Sequence, residues 1–377
     1  METVGITEDR TPPSNGVRPR ADYIDGMRGY AILMVIAVHA SLRVPRLEWP
    51  LADVMTQGAR GVQLFFTVSA LTLMMSWHQR QDGSAPFYLR RLFRIAPMFW
   101  LAIVVFIVLF GTAPRFAAPF GVGWMQVVTS LTLTHGFRPD TIEAIVPGGW
   151  SIAVEMTFYA VFPWIATRVS TLRHALLFAI GTIVFAVGLR SVSTELLAIL
   201  FPEDPHELRG VFGFLWFPAQ LPAFAIGVLL FHALRSGVRL PARLAHAGFL
   251  ASLVFVGALP LFGPGIQSNL LLSGAALGLM VLCASQSNRA VIVHPALRWI
   301  GKVSFSAYLW HFLLLSLPVN LPLVEGWPGM IVTYGALAGA TIALSSLTYL
   351  FVEVPMIAIG DVFIRRLRAK YSQVAPA

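Results

Sequence analysis

Arg28 and His39 stand eleven residues apart in IDGMRGYAILMVIAVHAS, a segment otherwise rich in apolar side chains. Charged and ionisable groups are costly in hydrocarbon, so they need a protein-lined cavity, a partner or a task. At 100° per residue the spacing closes three turns plus about 20°, which puts both on one helix face roughly 16 Å apart along the axis. That is about half the thickness of a bilayer core. A neutral imidazole accepts a proton near neutral pH and, set against a hydroxyl, can act as a general base. A guanidinium holds phosphates by charge-assisted hydrogen bonds. One helix face could thus connect an anion at one end with proton transfer at the other. A packed, hydrogen-bonded histidine is the plainer reading of His39.

Other segments add polar groups to apolar surroundings. Glu155, in GGWSIAVEMTFYAVFP, has a depth resembling that of His39. It could orient the imidazole or bind sugar hydroxyls, or hold helices together through Arg or Trp donors. FYLRRLFRIAPMFW carries Arg90, Arg91 and Arg94, placed to meet phosphates or lipid headgroups. Arg91 and Arg94 share a helical side, and Pro97 allows a helix to start or kink there. In GVQLFFTVSALTLMMS, packing is the default for Ser69, with Gln63 and Thr67 able to bond across helices. LRWIGKVSFSAYLWHF places Lys302 near one end of a span; Tyr308, Trp310 and His311 could line a cavity or simply pack. There is no GxSxG elbow, P-loop or HExxH box. The single cysteine, Cys283, excludes an intrachain disulfide and a cysteine cluster, and no metal site is expected.

The elements that position these groups follow from composition. Hydrophobic residues make up 56% of the 377 and charged ones only 12%, about half the usual charge of a soluble domain. The reading is an all-α polytopic membrane protein, a single bundle of about ten transmembrane helices. The spans are expected at 26–42, 60–77, 95–112, 149–167, 171–189, 213–235, 245–262, 267–285, 300–318 and 330–352. With the N-terminus inside, 19 of the 27 basic residues fall in cytoplasmic segments. This positive-inside bias predicts both termini cytoplasmic and an even span count. It also accounts for the net charge of +9 without a nucleic-acid partner. Residues 1–21 read as a flexible cytosolic segment, 22–356 as the membrane domain and 357–377 as a basic cytosolic tail. The long outside segment 113–148, rich in Pro, Gly and aromatic residues, could fold back into the bundle or serve as a connector.

Taken in order, the motifs resemble those of the membrane-bound acyltransferase-3 family, O-acetyltransferases of surface polysaccharides. The resemblance runs from about Tyr23 to Pro355. It is carried by Arg28 and His39 in YIDGMRGYAILMVIAVHA, by LFFTVSALTLM around Ser69, and by Arg91 and Arg94 in RRLFRIAP. Trp150, Ser151 and Glu155 in WSIAVEMTFYAVFP, His311 in IGKVSFSAYLWHF, and Glu353 with Pro355 in FVEVP complete it. Ala70 departs from the pattern, which commonly has glycine after the serine.

The resemblance implies transfer of an acyl group, commonly acetyl, from acyl-CoA to a hydroxyl. Acetyl-CoA or another acyl-CoA is then a cosubstrate, with no tightly bound cofactor. Arg28, Arg91, Arg94 and Lys302 would bind the donor, and His39 would serve as base. Glu155 would orient His39 or the sugar, with Ser69, Trp150, Ser151, Tyr308 and His311 lining the cavity. The implied acceptor is a lipid-linked glycan or polysaccharide at the bacterial cytoplasmic (inner) membrane, among membrane lipids. A small glycosylated metabolite is a second acceptor class, and a glycan or lipid transporter is the alternative from a different class.

Overall fold

The computed structural model describes residues 19–263, 270–287, 292, 294–317 and 324–374. They are helical almost throughout. α1 (Pro19–Ser41) is followed by α2 (Leu51–Thr56), which passes through a 3₁₀ turn at Gln57–Arg60 into α3 (Gly61–Arg80). Next come α4 (Ser84–Phe110), α5 (Trp124–Leu131), α6 (Gly149–Arg168) and α7 (Leu172–Leu200). α8 (His206–Leu215), α9 (Phe217–Arg235), α10 (Ala242–Ala258) and α11 (Leu270–Ala284) continue the bundle. It closes with α12 (Pro295–Lys302), α13 (Ser304–Ser316), α14 (Gly326–Thr348) and α15 (Val354–Val374). A π turn at Tyr349–Glu353 joins the last two.

The expected ten spans are corrected to about six. Among the described residues, the stretches long and apolar enough to cross a bilayer are Leu51–Arg80, Ser84–Phe110, Leu172–Leu200, His206–Arg235, Ala242–Phe262 and Gly326–Ala369. The other four expected spans fail for two physical reasons. α11 and α13 are short, at 15 and 13 residues. α1 and α6 are long, but Asp22, Asp25, Arg28 and His39 dilute the apolar content of one, and Glu155 and Arg168 that of the other. The cytoplasmic placement of both termini rested on a charge bias counted across ten spans and does not carry over to about six; residues 1–18 and 375–377 lie outside the described residues. The chain remains an all-α polytopic membrane protein.

Burial separates two kinds of helix. α7 exposes Leu176, Leu177, Ile180, Val184 and Phe185, as a lipid-facing helix does, whereas α3 buries Leu64, Phe66, Val68, Ala70, Leu71 and Met74. α1 packs against α3, α12, α13 and α14, so its polar residues are enclosed by protein. An Arg298–Asp22 ion pair at 2.6 Å ties α12 to α1. Ala70 faces α9 at Gly227, where an added Cβ would come within 2.7 Å of the alanine methyl. The close contact expected from a glycine at position 70 is thus kept, with the glycine on the facing helix.

Helix α4 runs through Pro97 and begins before the arginine cluster. Arg90 turns to Asp82 in the α3–α4 corner, in a bidentate pair at 2.7 and 2.8 Å that Arg368 of α15 joins. The Arg90 hydrogen bonds hold the Asp82 carboxyl below its ordinary range.

The 113–148 segment folds back onto the bundle. Gln126 donates to Asp140 at 3.1 Å, and Arg138 pairs with Asp140 at 2.9 Å. The Thr141 hydroxyl donates to the His135 carbonyl at 2.8 Å. The His135 ring stacks on Phe99 of α4, with centroids 5.2 Å apart, while its Nε2 donates to the Gly149 carbonyl at 3.0 Å. Burial depresses the His135 imidazole to about 4, so it is neutral around pH 7.

Candidate functional site

Helix periodicity builds the site. Ser151, Glu155 and Tyr159 recur every four residues on α6, and Arg91 and Arg94 lie three apart on α4. These five, with Arg28 of α1 and Ser69 of α3, line a cavity of about 80 Å³. The Ser69 hydroxyl donates to Glu155 Oε1 at 2.6 Å, and the Tyr159 hydroxyl donates to the same oxygen. The Arg91 guanidinium lies 5.7 Å from the centres of the Phe87 and Tyr159 rings, a cation–π arrangement. Arg28 sits 3.9 Å from Asp25. Three guanidiniums therefore converge on a tight space whose lining carboxylate is Glu155, with Asp25 beside Arg28 and the buried Glu353 within range of Arg94. Guanidiniums lining a cavity suit a polyanion such as a phosphate chain.

A second cavity, of about 520 Å³, holds His39 and Trp150. Val62 and Tyr308 line both cavities. Faces of α1, α3 and α13 run along the pair: Arg28 to His39 on the first, Ser69 to Gln63 on the second, Ser304 to Phe312 on the third. The shared wall is fixed at Gly148. Its φ of 76° lies in the left-handed region, and an added Cβ would press on Phe312 and Tyr308. Its amide donates to Glu143 at 3.1 Å, while its carbonyl accepts from Tyr308 at 3.2 Å and from Ser151 at 3.1 Å.

His39 Nδ1 lies 2.8 Å from the Val35 carbonyl. A carbonyl only accepts, so Nδ1 carries the hydrogen and the neutral ring's lone pair is on Nε2. The His311 ring lies 5.0 Å from that of His39, and its Nδ1 is 3.3 Å from the Ala307 carbonyl. His311 is fully buried, with its Nε2 unpartnered.

The predicted residues are thus distributed rather than gathered. Arg28, Arg91, Arg94, Glu155, Ser69 and Ser151 share the small cavity; His39 and Trp150 line the large one; Tyr308 belongs to both; His311 backs His39. Glu155 and His39 are not brought together: Glu155 is engaged by Ser69 and Tyr159, His39 by Val35. Lys302 is exposed at the end of α12, near enough to Asp25 to act on its charge, and lines neither cavity. Among the described residues, no cluster of three or more His, Cys, Asp or Glu side chains could hold a metal ion.

Sequence reasoning did not single out Tyr159, although its position four residues after Glu155 was a usable signal. It also missed Arg60, Arg115 and Glu143, which line the large cavity from a 3₁₀ turn and a loop. Glu353, buried at the π turn, accepts from Ser306 and ties α13 in place. A larger apolar groove of about 820 Å³ between α7, α9 and α11 shares Gln63 with the His39 cavity.

The profile of the acyltransferase-3 family, an acyltransferase domain, matches residues 21–350. The chain is similar to the exopolysaccharide production protein ExoZ of Rhizobium meliloti (strain 1021), 26% identical over 324 residues that cover 81% of this chain and 91% of that protein. It is also similar to the acyltransferase MdmB of Streptomyces mycarofaciens, 26% identical over 318 residues, 78% of this chain and 79% of the other. A Staphylococcus aureus (strain COL) protein named as a candidate O-acetyltransferase is 25% identical over 369 residues, 88% of this chain but 56% of its own length. No solved structure matches the chain.

Proposed function

This chain belongs to the acyltransferase-3 family and is an acyltransferase; we propose that it moves an acyl group, acetyl in the first instance, from acyl-CoA to a hydroxyl of a lipid-linked sugar or exopolysaccharide. The observation that carries this reading is the stacking of an arginine-lined cavity under a histidine-lined one, with Tyr308 in the wall of both. Arg28, Arg91 and Arg94 hold the donor's phosphates. The pantetheine arm runs past Tyr308, and the thioester arrives beside His39. Because 80 Å³ is small for that arm, the Tyr308 side chain moves aside when the donor threads through.

His39 Nε2 takes the proton of the acceptor hydroxyl as its oxygen attacks the thioester carbonyl. The tetrahedral adduct collapses, the C–S bond breaks, and the departing thiolate takes the proton back from the imidazolium. Glu155 keeps Ser69 and Tyr159 in register with the arginines and offsets part of their charge. The apolar groove that meets the His39 cavity at Gln63 offers the tail of a lipid-linked acceptor a lateral approach. The bacterial relatives favour the cytoplasmic (inner) membrane as its location.

Isotope-labelled acetyl-CoA supplied to the purified protein with candidate membrane glycans tests the reading. Mass spectrometry is expected to find the label as an ester on a glycan hydroxyl. Movement of glycan across a vesicle membrane with no covalent product would replace this reading with transport.

A further inference from the structure

The large cavity carries more charge than a neutral sugar requires. Its lining includes His39, Arg60, Gln63, Arg115 and Glu143, and its volume is that of a ligand pocket. Arg60 ends the 3₁₀ turn that leads into α3, and it is 8% exposed. Arg115 comes from the folded-back segment, on a turn closed by reciprocal backbone hydrogen bonds with Ala118 at 3.0 and 2.9 Å. Its Nη2 reaches the Gly111 carbonyl at a long 3.4 Å, and its buried Nε has no partner. Glu143, the carboxylate in the lining, accepts from the Gly148 amide. Arg115 thus presents an unpartnered guanidinium nitrogen, Arg60 adds a second guanidinium to the lining, and the lining carboxylate is committed to the backbone. Guanidiniums facing a ligand-sized cavity favour an anionic guest.

Gln63 supplies a second, independent sign of a ligand. It is 6% exposed, and its amide nitrogen donates to Gln220 at 2.9 Å. Its Oε1 is buried without a partner. A buried acceptor left open is costly, and a sugar hydroxyl would fill it.

We propose that the acceptor is an anion as well as an alcohol: it carries a carboxylate or phosphate that Arg60 and Arg115 hold while Gln63 accepts one of its hydroxyls and His39 meets the reacting one. The inference rests on the acyl-transfer reading above and narrows its substrate class. The anion has two sources with the same chemistry, a uronic acid within the glycan or the phosphate of a lipid carrier.

The test uses the full chain in lipid nanodiscs with labelled acetyl-CoA and three acceptors: octyl glucoside, octyl glucuronide and a polyprenyl diphosphate glucose. At least one anionic acceptor is expected to exceed the glucoside in kcat/KM by about tenfold or more, as one charge-assisted contact would give. Preference for the glucuronide alone assigns the anion to the sugar; preference for the diphosphate alone assigns it to the carrier. Arg115→Gln, in a surface turn, is expected to cut the preference to below about threefold, and Arg60→Gln to do the same. Equal or better use of the glucoside by the parent protein would overturn the inference while leaving acyl transfer intact, as would an undiminished preference in both variants. Absence of transfer to all three acceptors would count against the acyl-transfer reading itself and take this inference with it.

Discussion

The two cavities differ in how finished they are. Around Arg28, Arg91 and Arg94 the space is about 80 Å³, and Glu155 is already engaged by Ser69 and Tyr159. Around His39 it is about 520 Å³, and a buried Gln63 oxygen and an Arg115 nitrogen still lack partners. The smaller is built from regular helix faces, and the larger borrows a turn and a folded-back loop. Under the proposed reading, one donor chemistry is met by a fixed helical frame, and acceptor recognition falls to a turn and a loop, segments of the kind that tolerate sequence change. α7 supplies lipid boundary and contributes nothing to the small cavity, whereas the comparably long α4 supplies Arg91 and Arg94 to it.

Several experiments would break that division or sharpen it. The largest effect is expected from His39→Ala, which should lower acyl transfer at least about 100-fold at equal protein level. Activity retained by the variant would remove His39 from the chemistry and with it the role assigned to the large cavity.

A smaller, one-sided effect is expected at the other end. Arg91→Gln should raise the donor KM about tenfold, the worth of a lost charge-assisted contact, and shift the acceptor KM much less. Glu155→Gln should follow the same pattern, with some loss of protein abundance because the neighbouring arginines lose a counter-charge. If Glu155→Gln changed the acceptor KM instead, the two cavities would not divide the substrates as described.

The smallest effect concerns the loop that closes the large cavity. His135 is depressed to about 4 when folded, against about 6.5 when unfolded. Above 6.5 it is neutral in both states and its contribution to stability is intact. As pH falls from 6.5 toward 4, the unfolded chain takes up a proton that the folded one does not, so stability is lost. Melting temperatures of the parent should therefore drop across that window, and His135→Phe should flatten the slope while keeping an aromatic ring against Phe99. An unchanged slope would mean that His135 does not govern the anchoring of this loop.

Parts of the site were legible from local spacing. The shared face of Arg28 and His39 follows from eleven residues of helix, and the pairing of Arg91 with Arg94 follows in the same way. Tyr159 was equally readable, four residues beyond Glu155. Arg90 was not separable from its neighbours, because its turn toward Asp82 depends on a corner and on α15, far away in sequence. Arg60, Arg115 and Glu143 lie in a turn and a loop with no periodicity to read. The ten-span count failed because it admitted two helices that the fold ends after 15 and 13 residues and two whose ionisable residues lower their apolar content.

The linear chain by itself determined an all-helical membrane protein and the register of ionisable groups along each helix. These depend on composition and on a helical period that every residue obeys locally, whereas the class of chemistry came from ordered motifs that resemble a known family. Only the tertiary structure decided that Glu155 joins the arginines rather than His39, that Arg90 leaves them, and that a turn and a loop bring two further guanidiniums to the cavity of the imidazole. Those outcomes depend on which helix faces pack together, and contacts between distant segments are not encoded in the spacing within any one of them.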